Sequence, residues 1–96
     1  MPTYRARPRF LRDIKDLTAE QMAAWEKALN SFIECLRRGK FEPTLRVKRV
    51  QGYPGVWEMT WAADGRATFE YGQEILPGEP HIVWRRIGTH DVFRRP

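Results

Sequence analysis

Between Met22 and Leu36 the large apolar residues recur at every third or fourth position: Met22, Trp25, Leu29, Phe32, Ile33 and Leu36. Beyond Pro43 they alternate with polar residues instead. The first spacing lines one face of a helix; the second lines one face of a strand. Glu20, Glu26, Lys27, Asn30, Glu34 and Arg37 fall opposite the apolar stripe. Thr18 and Gln21 form a capping-box signature, and Gly39 supplies a left-handed stop, so the helix is predicted over Ala19–Arg38. Upstream, Phe10, Leu11, Ile14 and Leu17 in FLRDIKDL are spaced for a short helix of roughly two turns. The N-terminal MPTYRARPR is broken by Pro2 and Pro8 and reads as an edge strand or a loose arm.

Four strands are predicted downstream: LRVKRV, VWEMTW, RATFEY and HIVWRRI. QGYPG and AADG are turns, and Asp64-Gly65 is a pair that tolerates positive φ. GQEILPGEP is a loop. Trp57, Met59 and Trp61 share one strand face, and Val56, Glu58 and Thr60 the other. The expectation is a single α+β domain over residues 1–96, with two N-terminal helices packed on an antiparallel sheet of about four strands.

Composition narrows the class. A chain of 96 residues makes one small domain, and its four Trp, five Phe and three Tyr suit a small core. The single cysteine, Cys35, has no internal disulfide partner and reads as packing in a reducing compartment. No apolar run is long enough to span a membrane and none resembles a signal peptide, so a cytoplasmic protein is expected.

Charge then points outward. Seventeen Lys+Arg against twelve Asp+Glu give +5, and the only lysines are Lys15, Lys27, Lys40 and Lys48. Arginine forks grip phosphate at two points, so a small arginine-rich domain is a candidate nucleic-acid binder. The plainer alternative is a solvated basic surface. Arg46, Lys48 and Arg49 fall on the first predicted strand, Arg66 opens the third, and Arg85 and Arg86 close the fourth. On one concave surface they would hold a phosphate backbone. Strict alternation sends Arg85 and Arg86 to opposite faces unless a bulge intervenes.

The candidates for chemistry are few. His81 and His90 are the only histidines, too few with one distant cysteine for a metal site. His81 follows Pro80 at a strand mouth and reads as a surface residue. His90 lies in RRIGTHDVF, close to dense positive charge, as a structural turn residue or a titrating group. No Ser-His-Asp arrangement and no phosphate-cradling glycine loop is present.

The order of these elements resembles the RelE/ParE superfamily of type II toxins, and its ribonuclease branch more than its gyrase-directed one. The resemblance covers nearly the whole chain. Its most specific piece is Arg86-Ile87-Gly88-Thr89-His90 followed by Phe93, similar to the ending of YafQ-like toxins. It implies two helices on a twisted antiparallel sheet with the active site on the open concave face. It also implies cleavage of mRNA, commonly on the ribosome, without metal or other cofactor. There the substrate's 2′-OH attacks the adjacent phosphate and leaves a cyclic phosphate. The implied partner is a small acidic antitoxin; a toxin that inhibits a protein target such as gyrase, or a degenerate homologue, is the alternative. Oligomeric state stays open.

Carried over residue by residue, the resemblance makes His90 an acid or base and Arg86 a phosphate stabiliser. Arg66 would grip the backbone, Asp64 stands where some members carry an acid, and Phe93 would stack on a base. Arg46, Lys48, Arg49 and Arg85 complete the implied nucleic-acid surface. The sequence also departs from the pattern. Glu58 and Thr60 stand where several relatives have basic or histidine residues, making Glu58 a candidate base. Phe93 follows His90 by three positions rather than four.

Overall fold

The long helix forms where its caps place it. A computed structural model describes residues 2–96 and leaves Met1 outside the described residues. In it, α2 runs Ala19–Arg38. Gln21 N–H donates to Thr18 Oγ1 at 3.1 Å, and Thr18 N–H donates to Gln21 Oε1 at 2.8 Å. Gly39 closes the helix at φ 75°, a left-handed conformation that glycine adopts without a Cβ clash. The first helix, α1 (Pro8–Ile14), starts on a proline, whose missing N–H is not needed there. Phe10 is buried, and Ile14 and Leu17 pack against the core, but Leu11 faces outward.

Among the described residues five strands form one sheet: β1 (Thr3–Ala6), β2 (Lys48–Arg49), β3 (Trp57–Ala62), β4 (Gly65–Gly72) and β5 (His81–Gly88). Their order is β1-β5-β4-β3-β2. The antiparallel meander β2 to β5 is as expected, and two helices pack on the sheet. The N-terminal stretch is an edge strand, and it makes the sheet mixed because β1 pairs with β5 in parallel.

LRVKRV is corrected more sharply. Only Lys48 and Arg49 are strand; Pro43–Leu45 is a 3₁₀ turn, and Arg46 sits at φ 48°. Pro43 fixes the backbone for a turn start, and Leu45 follows it into the core, so the apparent alternation comes from a turn. The β3–β4 turn is also built differently. Neither Asp64 nor Gly65 has positive φ. Gly65 is required because the Trp61 ring crosses it: a Cβ there would lie 2.5 Å from the indole. His81 is buried, with Nδ1 2.7 Å from Thr3 Oγ1, and is not a surface residue. The parallel strand β1 covers it.

The core fills one face of the sheet. Met59, Trp61, Ala67, Phe69, Ile82, Trp84 and Ile87 meet Phe10 of α1 and Trp25, Phe32 and Cys35 of α2. Trp84 is its hub, with ring centroids 5.8 Å from Phe10, 5.2 Å from Trp25, 5.2 Å from Phe32 and 5.5 Å from Phe69. Truncating such a residue to alanine costs about 3–5 kcal/mol.

Two bulges interrupt the alternation, and the second re-aims a side chain toward the other face. One falls at Trp61, between the Thr60 and Ala62 pairings; the other falls at Arg85, because Thr68 pairs with Arg86 and Phe69 with Trp84. Trp84 and Ile87 both enter the core, so Arg85 and Arg86 between them point to the same open face.

Candidate active site on the open sheet face

Register builds the site. Lys48, Glu58, Thr68 and Arg86 form one cross-strand row; Thr60, Arg66 and Gly88 form the next. Directly paired residues project from the same face, so this face presents Glu58 among cations while the opposite face holds the core. The chain then turns at Thr89 into a 3₁₀ segment, His90–Arg94, whose Val92 lies over Gly88. That turn brings His90 back to the β3–β4 hairpin.

There His90 Nδ1 meets Asp64 Oδ1 at 2.7 Å, with Asp91 Oδ1 3.8 Å from Nε2. Both ends of the short contact are open to solvent. The hydrogen bond that His90 donates to Asp64 raises the His90 pKa above the ordinary histidine value, helped by the charges of Asp64 and Asp91 and opposed by desolvation and Arg66. The same hydrogen bond lowers Asp64. Nearby, Arg66 donates from Nη1 to the carbonyls of Gly65, Ala62 and Ala63, at 2.9, 3.4 and 3.4 Å. That fixes the guanidinium beside the turn, where its charge acts on His90, Asp64 and Glu58 together.

Glu58 is recessed. Burial raises its pKa, and Lys48, Arg66 and Arg46 partly offset the rise. It makes no ion pair or hydrogen bond among the described residues. Its row neighbour Thr68 is fully buried with no partner for Oγ1. The two carboxylates are thus pushed in opposite directions, Glu58 toward holding a proton and Asp64 toward losing one. Such divergence separates acid from base roles in enzymes.

The other candidates are placed differently. Arg86 is committed internally: Nε donates to Asp13 Oδ2 at 2.6 Å, Nη2 to Oδ1 at 3.3 Å and Nη1 to the Arg95 carbonyl at 3.0 Å. Arg85 donates to Glu70 at 2.8 Å and twice to the Pro96 backbone oxygen. Arg49 pairs across from Trp57 and lies 5.3 Å from its ring, on the helix-side face, away from Lys48. Phe93 is half-buried on the C-terminal turn. The structure therefore gathers His90, Asp64, Arg66, Glu58, Lys48 and Arg46, and leaves Arg49 outside.

No protein-family model matches this sequence. No curated protein matches it either. Solved structures do. A chain of the E. coli DinJ–YafQ toxin–antitoxin complex is similar at 15% identity and TM-score 0.65, covering 95% of this chain and 94% of that one. The YoeB/ParE toxin from Agrobacterium tumefaciens is 13% identical at TM-score 0.67, covering 92% and 98%. A chain of the RelB–RelE antitoxin–toxin complex from Methanococcus jannaschii is 16% identical at TM-score 0.60, covering 93% of each. The chain has the RelE/ParE toxin fold.

On this RelE/ParE-like scaffold, two carboxylates the sequence did not single out hold the arginines of β5. Asp13 takes Arg86 and also accepts the Ile87 N–H at 3.1 Å, where β5 runs past the end of β1. Glu70 is bridged by Arg7 at 2.9 Å and Arg85 at 2.8 Å. Burial pushes its carboxyl up, but the hydrogen bonds and charges of the two arginines outweigh that and hold it low. Nothing in FLRDIKDL or RATFEY marks either carboxylate as a partner for a residue 73 or 15 positions away.

Proposed function

We propose that this chain is the toxin of a type II toxin–antitoxin pair and an endoribonuclease that cuts mRNA on the ribosome, in the cytoplasm. The observation that carries the reading is the 2.7 Å His90–Asp64 pair, open to solvent at the end of a cationic face that also holds recessed Glu58. Asp64 keeps His90 protonated to higher pH, which suits a proton donor. Glu58, a carboxylate with raised proton affinity, suits an acceptor.

In the proposed reaction the substrate 2′-OH gives its proton to Glu58 and its oxygen attacks the adjacent phosphorus. The bond to the 5′-oxygen breaks, and that oxygen takes the proton of His90. The products are a 2′,3′-cyclic phosphate and a free 5′-hydroxyl. Arg66 and Lys48 stabilise charge on the phosphoryl oxygens. Arg46 and Phe93 extend the surface for the strand. A small acidic antitoxin covers the basic face; the solved complexes of similar fold support a partner of this kind.

One observation favours a second reading. The terminal-strand Arg86 is saturated by Asp13 and the Arg95 carbonyl, so it offers little to a phosphate. A chain that lost this contact would act by binding a protein target such as gyrase. Purified ribosomes programmed with message decide between the two. The first reading expects fragments ending in cyclic phosphate, produced with or without chelator and abolished by His90→Ala. Intact RNA together with blocked supercoiling establishes the second.

A further inference from the structure

Five arginines from three separate parts of the chain line one pocket of about 200 Å³: Arg7 and Arg9 at the start of α1, Arg85 and Arg86 on β5, and Arg95 near the C-terminus. Like charges gathered this closely repel unless something of opposite sign attends them. Two carboxylates do. Glu70 bridges Arg7 and Arg85, and Asp13 takes Arg86 and, at 3.5 Å, Arg9. Among the side chains, five arginines against two carboxylates leave a formal excess of three positive charges.

The donors divide cleanly. The guanidinium groups of Arg85 and Arg86 are saturated by Glu70, Asp13 and the backbone oxygens of Arg95 and Pro96. They form a fixed cationic floor. Arg7 uses only Nη2, on Glu70. Arg9 makes one long contact through Nε, and the Arg95 side chain makes none among the described residues. These three forks stand over the floor with unused N–H groups. The bulge at Arg85 makes this possible, since strict alternation would have sent one floor residue to the core side.

We propose that this pocket binds a phosphate group. A tetrahedral dianion accepts planar forks from several directions at once, and its charge answers an excess of three better than a single carboxylate does. The phosphate belongs either to the 5′ end of an RNA strand, as a terminal monoester, or to a free phosphate ion. The pocket shares neither His90 nor Asp64, so the inference does not depend on RNA cleavage.

The test uses the full chain with ¹⁵N-labelled arginine and inorganic phosphate. Saturable shifts of the Arg7, Arg9 and Arg95 Nε signals, with the His90 ring unmoved, are expected. In the Arg9→Gln/Arg95→Gln double variant the affinity should fall at least tenfold with an unchanged melting temperature; both side chains are exposed, so the fold should tolerate the change. A 5′-phosphorylated RNA oligonucleotide distinguishes the source. Weaker binding of it by the double variant, and its competition by phosphate, place a strand phosphate in the pocket. Unchanged oligonucleotide binding assigns the pocket to free phosphate. The proposal is overturned if phosphate gives no saturable shift, or the same shift in the double variant. It is equally overturned if a glutamate-rich peptide shifts these signals and phosphate does not.

Discussion

The open face carries two acid–base contacts of nearly equal length and opposite character. His90 meets Asp64 at 2.7 Å with side chains 67% and 60% exposed; Arg86 meets Asp13 at 2.6 Å with side chains 16% and 12% exposed. The first contact keeps its charges in water. Its effect is to move proton affinities, His90 up and Asp64 down, rather than to hold the chain together. The second ties α1 to β5 across 73 residues and saturates a guanidinium that the bulge at Arg85 turns to the open face. Separation differs by only 0.1 Å; exposure decides which contact titrates and which is structural.

The comparison breaks most visibly at His90. Replacing it with alanine should lower RNA cleavage roughly a hundred- to ten-thousand-fold, the usual share of a positioned general acid. Its melting temperature should stay put, because an exposed pair adds little to stability. A large drop in melting temperature would show that His90 holds the hairpin instead.

Asp13→Asn should do the reverse. It leaves a mostly buried guanidinium without its countercharge and weakens the acceptor for Ile87 N–H. Breaking such a pair costs about 3 kcal/mol, and a domain of this size loses roughly 4–8 °C per kcal/mol. Denaturation midpoints measure it. Cleavage per folded molecule should change far less than in His90→Ala; equal loss in both would mean that Arg86 and His90 act on the same phosphate.

A finer prediction concerns pH. If His90 donates the proton, activity falls as pH rises through its raised pKa, and if Glu58 accepts one, activity falls as pH drops through its own raised value. Asp64→Asn removes the bond that lifts His90. The alkaline limb should therefore move to lower pH while the acid limb stays, and NMR titration of the ring should follow the same shift. The stability linkage has matching signs. The raised His90 stabilises the fold below its unfolded pKa and ceases to as pH rises through the folded value; the lowered Asp64 stabilises it above its unfolded pKa and ceases to as pH falls through the folded one.

What the sequence disclosed follows the range of the interaction. α2 was legible to the residue because its stripe, its capping box and Gly39 all act within four positions. The meander was legible because its signals are local: alternation in VWEMTW and RATFEY, and turn residues between the strands. Three things depended on distant partners and were not. β1 becomes a parallel strand only against β5, whose His81 lies opposite Thr3. The Arg85 bulge comes from the demand that Trp84 and Ile87 both reach the core. Arg46 and Val47 imitate strand alternation while sitting in a turn. Within the site, His90 and Asp64 were legible as residue types near turns; Asp13 and Glu70 were not, since only the fold brings a carboxylate to each arginine.

The smallest expected effect tests whether Arg66 belongs to the titrating end of this face. Its Nη1 is held by three turn carbonyls, so the rest of the guanidinium is aimed rather than free. A cation fixed in this way should contact one phosphate of a bound strand. Arg66→Ala should then reduce the slope of log affinity against log salt by about 0.7, the share of one contact on single-stranded RNA. It should also relieve the charge that opposes His90 protonation, so the ring should titrate slightly higher. The two readouts move for different reasons: the slope reports a phosphate, the titration a neighbour. If the ring responds but the slope does not, Arg66 is there to tune His90 and the strand passes elsewhere.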